Sequence, residues 1–114
     1  MTIALTLKVN DGIVLAADSA SAVVAVDDTG TPAVTNIYNH ANKVFNLIKG
    51  EPVGAVTWGG GNIGSASMST LMKDFRQELV SESSSAHRRL SIEEVAQSAK
   101  RFFFEECYQK QYSE

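Results

Sequence analysis

A chain of 114 residues, 44% hydrophobic and 20% charged, is long enough to bury one modest core. Its net charge of −3 offers no basic footprint for nucleic acid or an anionic membrane surface, so neither is expected as a partner. No apolar run approaches the roughly 20 residues that span a bilayer, no basic-then-apolar leader precedes the first strand, and the single cysteine, Cys107, has no internal partner for a disulfide; together these predict a cytoplasmic protein.

Thr2 to Val9 alternates, with Ile3, Leu5, Leu7 and Val9 on one face and Thr2, Ala4, Thr6 and Lys8 on the other, which predicts a strand. Asn10-Asp11-Gly12 is turn chemistry, because Asp-Gly accommodates the positive φ of a tight hairpin. Ile13 to Ala17 runs apolar without alternation, as a strand buried on both faces does. Ser19 to Val26 continues as strand, Asp27 to Pro32 is a polar loop tip, and Ala33 to Tyr38 returns. Lys43 to Ile48 and Val53 to Trp58 form a further hairpin around Lys49-Gly50-Glu51-Pro52.

Two helices follow. Met68, Leu71, Met72, Phe75 and Leu79 recur at three- and four-residue steps and give the first a single apolar stripe; Ser81 to Arg89 is polar and breaks that pattern. The second opens on Ser91-Ile92-Glu93-Glu94, a capping box in which Ser91 and Glu94 satisfy first-turn amides. Ile92, Val95, Ala96, Ala99, Phe102 and Phe103 then face one way, as core. Phe102-Phe103-Phe104 is wider than one stripe, so part of that face is expected to meet a second layer or a partner chain.

The residue with the most chemistry is Thr2. Once Met1 is removed it carries both a hydroxyl nucleophile and a free α-amine, a base of unperturbed pKa about 7.7–8.0. The β-methyl narrows χ1 and so helps hold the oxygen in one direction. Asp18 directly follows the apolar run Ile13–Ala17, where an unpaired carboxylate is costly. Gly59-Gly60-Gly61-Asn62-Ile63-Gly64 fits the weak G-x-G-x-x-G pattern of a dinucleotide-binding turn, after a strand and opening a helix. It comes after two hairpins, and Glu78 and Glu82 fall in or just beyond the helix, where no ribose-binding acid belongs. His40 and His87 stand far apart without cysteine or carboxylate at ligand spacing, so no metal is expected; no cofactor is expected either. Arg88-Arg89 reads as a solvated loop, and Cys107 as structural or free.

Three blocks carry a resemblance: Thr2 through Asp18-Ser19, Asn42-Lys43-Val44-Phe45-Asn46-Leu47, and Gly54-Ala55-Val56-Thr57-Trp58-Gly59-Gly60 followed by a helix. In order and spacing they resemble the start of mature proteasome β subunits and their simpler bacterial relatives, the N-terminal-nucleophile threonine hydrolases. The resemblance implies an α+β fold, an αββα sandwich of which 1–114 is a single partial domain, the N-terminal half, with antiparallel strands in 1–60 and two helices in 61–114. It also implies a peptide or small amide substrate and a homo-oligomer. Thr2 matches the family's nucleophile, Lys43 the lysine beside it and Asp18 the carboxylate that holds that lysine. Gly59, by the same match, supplies the backbone N–H for the oxyanion. Two positions depart from the pattern: Ala20 stands where many members have arginine, and the bulky Trp58 where a small residue is usual, narrowing the substrate pocket. The excursion from Ser19 to Tyr38 is longer than in the family. Two rival readings stand beside the hydrolase: a non-catalytic assembly subunit that retains Met1, and a nucleotide-binding module through Gly59–Gly64.

Overall fold

The computed structural model describes residues 2–113. The chain is mixed α and β, and its residues group into two compact units. One comprises the residues through Val44 with Val56–Gly59; the other comprises Phe45–Ala55 with the residues from Gly60 onward.

The first unit is built of hairpins. Strand β1 (Ala4–Val9) pairs antiparallel with β2 (Gly12–Ala17), from Ala4↔Ala17 to Val9↔Gly12. Asn10 and Asp11 form the turn centre without positive φ, and Gly12 already belongs to β2, so the expected use of glycine at that turn is corrected. Strand β3 (Ser21–Val26) pairs with β4 (Pro32–Tyr38), with a register shift between Val23 and Val24. The Thr35 hydroxyl donates to the Val23 carbonyl at 3.1 Å beside that shift, giving the irregular ladder a side-chain hydrogen bond. The tip between them is organised by Asp27, whose Oδ1 accepts from the Thr29 and Thr31 amides, each at 2.9 Å. These contacts hold the Asp27 carboxyl below the ordinary range, the Thr29 hydroxyl first among them.

The first unit has almost no interior. Ile13 and Val14 are 57% and 56% exposed, so β2 is not the doubly buried strand that its apolar run predicts. Leu5, Leu7, Val9, Val24, Val34 and Ile37 are likewise exposed. Apolar periodicity records which residues suit burial, not what covers them.

In the second unit the apolar residues close on one another. Strands β5 (Val44–Asn46) and β6 (Gly54–Val56) pair, shorter than the runs Lys43–Ile48 and Val53–Trp58 imply. A two-residue hairpin, β7 (Asn62–Ile63) with β8 (Ala66–Ser67), precedes the helices. Helix α1 spans Met68–Ala86 and starts where the Ser67 hydroxyl accepts from the Thr70 amide. Its stripe is buried as predicted, with Leu71, Met72, Phe75 and Leu79 inside. Phe45, Leu47 and Ile48 join Met72, Phe75, Leu79 and Val95 in one core, which is why Phe45–Ala55 groups with the helices rather than with the earlier strands.

Helix α1 runs through Ser81–Ala86, inside the polar stretch where the apolar pattern breaks. The apolar period ends there, but Glu78 and Glu82 both accept from the Arg101 guanidinium, and Glu82 also accepts from the buried Ser98 hydroxyl at 2.7 Å. Arg101 and then Ser98 hold the Glu82 carboxyl below its ordinary range. Polar contacts thus carry the helix beyond its apolar stripe, and it ends at His87 in the left-handed region (φ 54°). Helix α2 (Ile92–Ala99) has the predicted capping box. Ile92 is 71% exposed and Ala96 also faces solvent, so the buried side is Val95 and Ser98 instead.

From Lys100 to Gln109 the chain is a π-helix, followed by one short turn, α3 (Lys110–Tyr112). A π-helix this long is rare. Adjacent residues Phe102 and Phe103 both reach Phe75, at ring separations of 5.5 and 5.3 Å, while Phe104 lies on the exposed side and stacks on Tyr108. Among the described residues the strands form four two-stranded sheets rather than one continuous sheet.

Candidate active site

The site grows out of the β1–β2 register. Pairing Ala4 with Ala17 sets Ile3 beside Asp18, and the Asp18 amide donates to the Ile3 carbonyl at 3.1 Å. The Ile3 amide in turn donates to Asp18 Oδ1 at 2.8 Å, so one carboxylate clamps the backbone next to Thr2.

Lys43 closes the arrangement from the segment before β5. Its Nζ donates to Thr2 Oγ1 at 3.2 Å, to Asp18 Oδ1 and Oδ2 at 3.3 Å each, and to the Ala20 carbonyl at 2.5 Å. The side chains of Lys43 and Asp18 are 11% and 27% exposed, so their ion pair is partly withdrawn from water. The Ile3 amide first, and the Lys43 ammonium after it, hold the Asp18 carboxyl below its ordinary range against the opposing effect of burial. Asp18 is therefore an anion at neutral pH. It keeps that charge until the pH falls below the usual carboxylate range.

Three of the four residues singled out in the sequence, Thr2, Asp18 and Lys43, thus share one hydrogen-bonded cluster. Gly59 lies in the same unit, with φ of 83°, a left-handed backbone that favours glycine over any side chain. The Thr57 amide donates to the Lys43 carbonyl at 2.8 Å, so the strand end that leads to Gly59 is stitched to the backbone of the lysine. No hydrogen bond joins Gly59 to the other three among the described residues. Met1, whose removal or retention separates an enzyme from a scaffold, lies outside the described residues.

Two contributors escaped the sequence. The Ala20 carbonyl binds Lys43 and the Ile3 amide binds Asp18; both are backbone groups, which no residue type announces. The second was reachable from the Asn10-Asp11 turn, because a hairpin centred there sets residue 3 opposite residue 18. Ala20, noted only for the arginine it lacks, contributes through its main chain.

The glycine run behaves differently from its motif. Gly59–Gly64 leads into the β7–β8 hairpin and not into a helix N-terminus, since α1 begins at Met68 under the Ser67 cap. The Gly64 amide donates to the Tyr112 hydroxyl at 3.0 Å, and a Cβ at Gly64 would come within 2.7 Å of the Gln111 side chain. That glycine answers to packing against α3. Among the described residues no group of His, Cys, Asp and Glu is gathered to hold a metal, and no helix is long and apolar enough to cross a membrane. Cys107 is half-buried, which raises its thiol pKa.

Comparison of the chain with protein-family models, with curated proteins and with solved structures finds no match in any of the three.

Proposed function

We propose that the protein is a proteasome-like threonine hydrolase, acting on peptides or small amides through Thr2 once Met1 has been removed, and that the chain corresponds to the first half of an αββα sandwich. The observation that carries this reading is the single ammonium, Lys43, hydrogen-bonded at once to the Thr2 hydroxyl and to Asp18. A lysine that donates to Oγ1 leaves the hydroxyl proton free to point elsewhere, and the nearest base in covalent reach is the α-amine of Thr2 itself. The fixed positive charge favours the developing alkoxide.

In the proposed reaction, Thr2 Oγ1 attacks the carbonyl carbon while the α-amine takes the hydroxyl proton. The tetrahedral oxyanion accepts a hydrogen bond from the Gly59 N–H. Collapse breaks the C–N bond, the leaving amine departs with the proton held by the α-amine, and an ester on Thr2 remains. Water, deprotonated by the same α-amine, hydrolyses that ester, releasing the acid and restoring the hydroxyl. Lys43 touches a reacting atom throughout; Asp18 is a positioning residue that orients Lys43 and fixes the Ile3 backbone.

The test is turnover of peptide amides and esters by protein freed of Met1. Turnover that disappears in Thr2→Ala with the fold retained supports the mechanism, and turnover unchanged in Thr2→Ala removes Thr2 from it. A second reading, a non-catalytic assembly subunit, is favoured by the exposed apolar strands β1 to β4. Intact-mass measurement separates the two: loss of one methionine favours the enzyme, and uniform retention the scaffold.

A further inference from the structure

Arg88 and Arg89 take no part in the Thr2–Asp18–Lys43 cluster, and the segment they open, Arg88-Arg89-Leu90-Ser91-Ile92, leads from the end of α1 into α2. Arg88 to Ser91 form neither helix nor strand, and Ser91 has an extended backbone, φ −69° and ψ 159°. Arg88, Arg89 and Ser91 are exposed. Ile92 is 71% exposed as well, although the apolar pattern of α2 predicts it to be core. A serine with two cations just before it and an apolar side chain just after it is thus presented whole to solvent. No other serine or threonine of the chain has an arginine two or three residues before it.

We propose that Ser91 is a phosphorylation site, modified by a serine kinase whose substrate groove sets carboxylates against the two arginines and an apolar pocket against Ile92. The inference is independent of the hydrolase reading. In the transfer, Ser91 Oγ attacks the γ-phosphorus of ATP, the hydroxyl proton passes to the kinase's catalytic carboxylate, and the bond to the bridging oxygen breaks to release ADP. The hydroxyl is available for this. Its oxygen accepts from the Glu94 amide at 3.2 Å, and among the described residues no acceptor takes its proton. Arg88 is bound to Glu94 and to the Arg89 carbonyl, with its side chain 57% exposed, and surface contacts of this kind are exchanged at little cost for a carboxylate of the groove. Ile92 stands in the first turn of α2, and helix ends open at low free energy, so the extended segment can lengthen through it. The neighbouring serines are placed differently. Ser98 is buried and donates to Glu82, and Ser83 donates to the Arg88 carbonyl from within α1. A phosphate on Ser91 adds a charge of about −1.5 to −2 beside Glu93 and Glu94 and contends with Glu94 for Arg88, so the modification acts on the start of α2.

The experiment incubates the folded full chain with an arginine-directed serine kinase and magnesium ATP, then digests it and weighs the peptides. One phosphoryl group should appear, on Ser91. It should be absent in Ser91→Ala and in Ser91→Asp, the second of which keeps a good capping residue and so protects the fold. Arg88→Ala combined with Arg89→Ala should slow the transfer by about tenfold or more, as expected when charged hydrogen bonds to a partner are lost. An acid-directed kinase should leave Ser91 unmodified.

A folded chain left unmodified at Ser91, or modified there only after it has been unfolded, overturns the proposal. Transfer to Ser91 at an unchanged rate without the two arginines also overturns it, because the kinase then reads something other than this segment. Phosphate on Ser83, Ser84 or Ser85 in place of Ser91 does the same.

Discussion

The two units of this protein are held by different forces. In the helical unit, Phe75 and Leu79 are 1% and 0% exposed at the centre of a core that includes Phe45, Leu47, Ile48 and Val95. In the hairpin unit, Leu5, Leu7, Ile13 and Val14 are each more than half exposed, and the part-buried contacts are the polar ones among Thr2, Asp18 and Lys43. Burial of apolar area is large and non-directional, and it makes an interior that is costly to disturb. A cluster of ionic and backbone hydrogen bonds is directional, and it fixes where a hydroxyl points while contributing little to bulk stability. The candidate site sits in the unit with the least core.

That contrast is open to direct attack. The largest stability effect should come from Phe75→Ala, at roughly 3–5 kcal/mol in denaturant unfolding followed by helical circular dichroism. Leu5→Ala, at a position 58% exposed, should cost no more than about 0.5 kcal/mol. Equal costs would mean that the hairpins have an interior after all. Hydrogen exchange sharpens the same point: amides of β1 to β4 should exchange well before those in the middle of α1, because strands without packed faces open locally at low free energy. Protection in β1 matching that of α1 would contradict the contrast.

At the site the order of effects reverses. Lys43→Ala should lower turnover by about 10²–10³-fold, the range for removing one donor that stabilises developing charge, and leave the helical melt in place. A loss of the same size in Lys8→Ala would show that general charge, not placement, matters. Asp18→Asn should reduce turnover less, by about 10–100-fold, as expected for a positioning residue that acts through Lys43. Because the folded Asp18 carboxyl is depressed, the stability of its pairing is fully present above the ordinary carboxylate range and is lost as pH falls through the lower folded value. The wild-type rate, already falling with pH as the α-amine protonates, should therefore steepen below the ordinary carboxylate range, and Asp18→Asn should lose that second fall. A second fall unmoved by that substitution belongs to another group.

How much of this was readable in advance differs between the units for a physical reason. The clustering of Thr2, Asp18 and Lys43 was an implication of the family resemblance alone, whereas the α1 stripe and the Ser91 capping box follow from local periodicity and residue type. The exposure of Ile13–Ala17 does not, because an apolar run specifies a preference for burial and says nothing about whether a covering layer exists. The extension of α1 to Ala86 depends on Arg101 reaching Glu78 and Glu82, a contact across about twenty residues that no local window contains. The π-helix at Lys100–Gln109 and the β7–β8 hairpin are set by packing of Phe102 and Phe103 on Phe75 and of Gly64 against Tyr112 and Gln111. Backbone contributors such as Ala20 and Ile3 were silent because every residue has a carbonyl and nearly every residue an amide.

A modest effect is expected at the α2 cap. Ser91→Ala should cost about 1 kcal/mol, since it removes an acceptor from a first-turn amide. Glu94, on the same cap, is drawn down to about 2 by the Arg88 guanidinium and then by the Ser91 amide. Its contribution is complete above the ordinary carboxylate range and is lost as pH falls through about 2, so the Ser91→Ala penalty should be undiminished at pH values near its ordinary midpoint of 4.5. A penalty already gone there would show that the capping box does not survive in solution.

Mapping where an activated acyl ester leaves its acyl group would decide the matter. The full chain, freed of Met1, is treated with the ester, digested and weighed peptide by peptide. An acyl group on the peptide that begins at Thr2, formed rapidly, slowed in Lys43→Ala and missing in Thr2→Ala, is what the hydrogen bond from Lys43 to the Thr2 hydroxyl predicts. Acylation confined to lysines elsewhere, or acylation of Thr2 that proceeds as fast without Lys43, would contradict it.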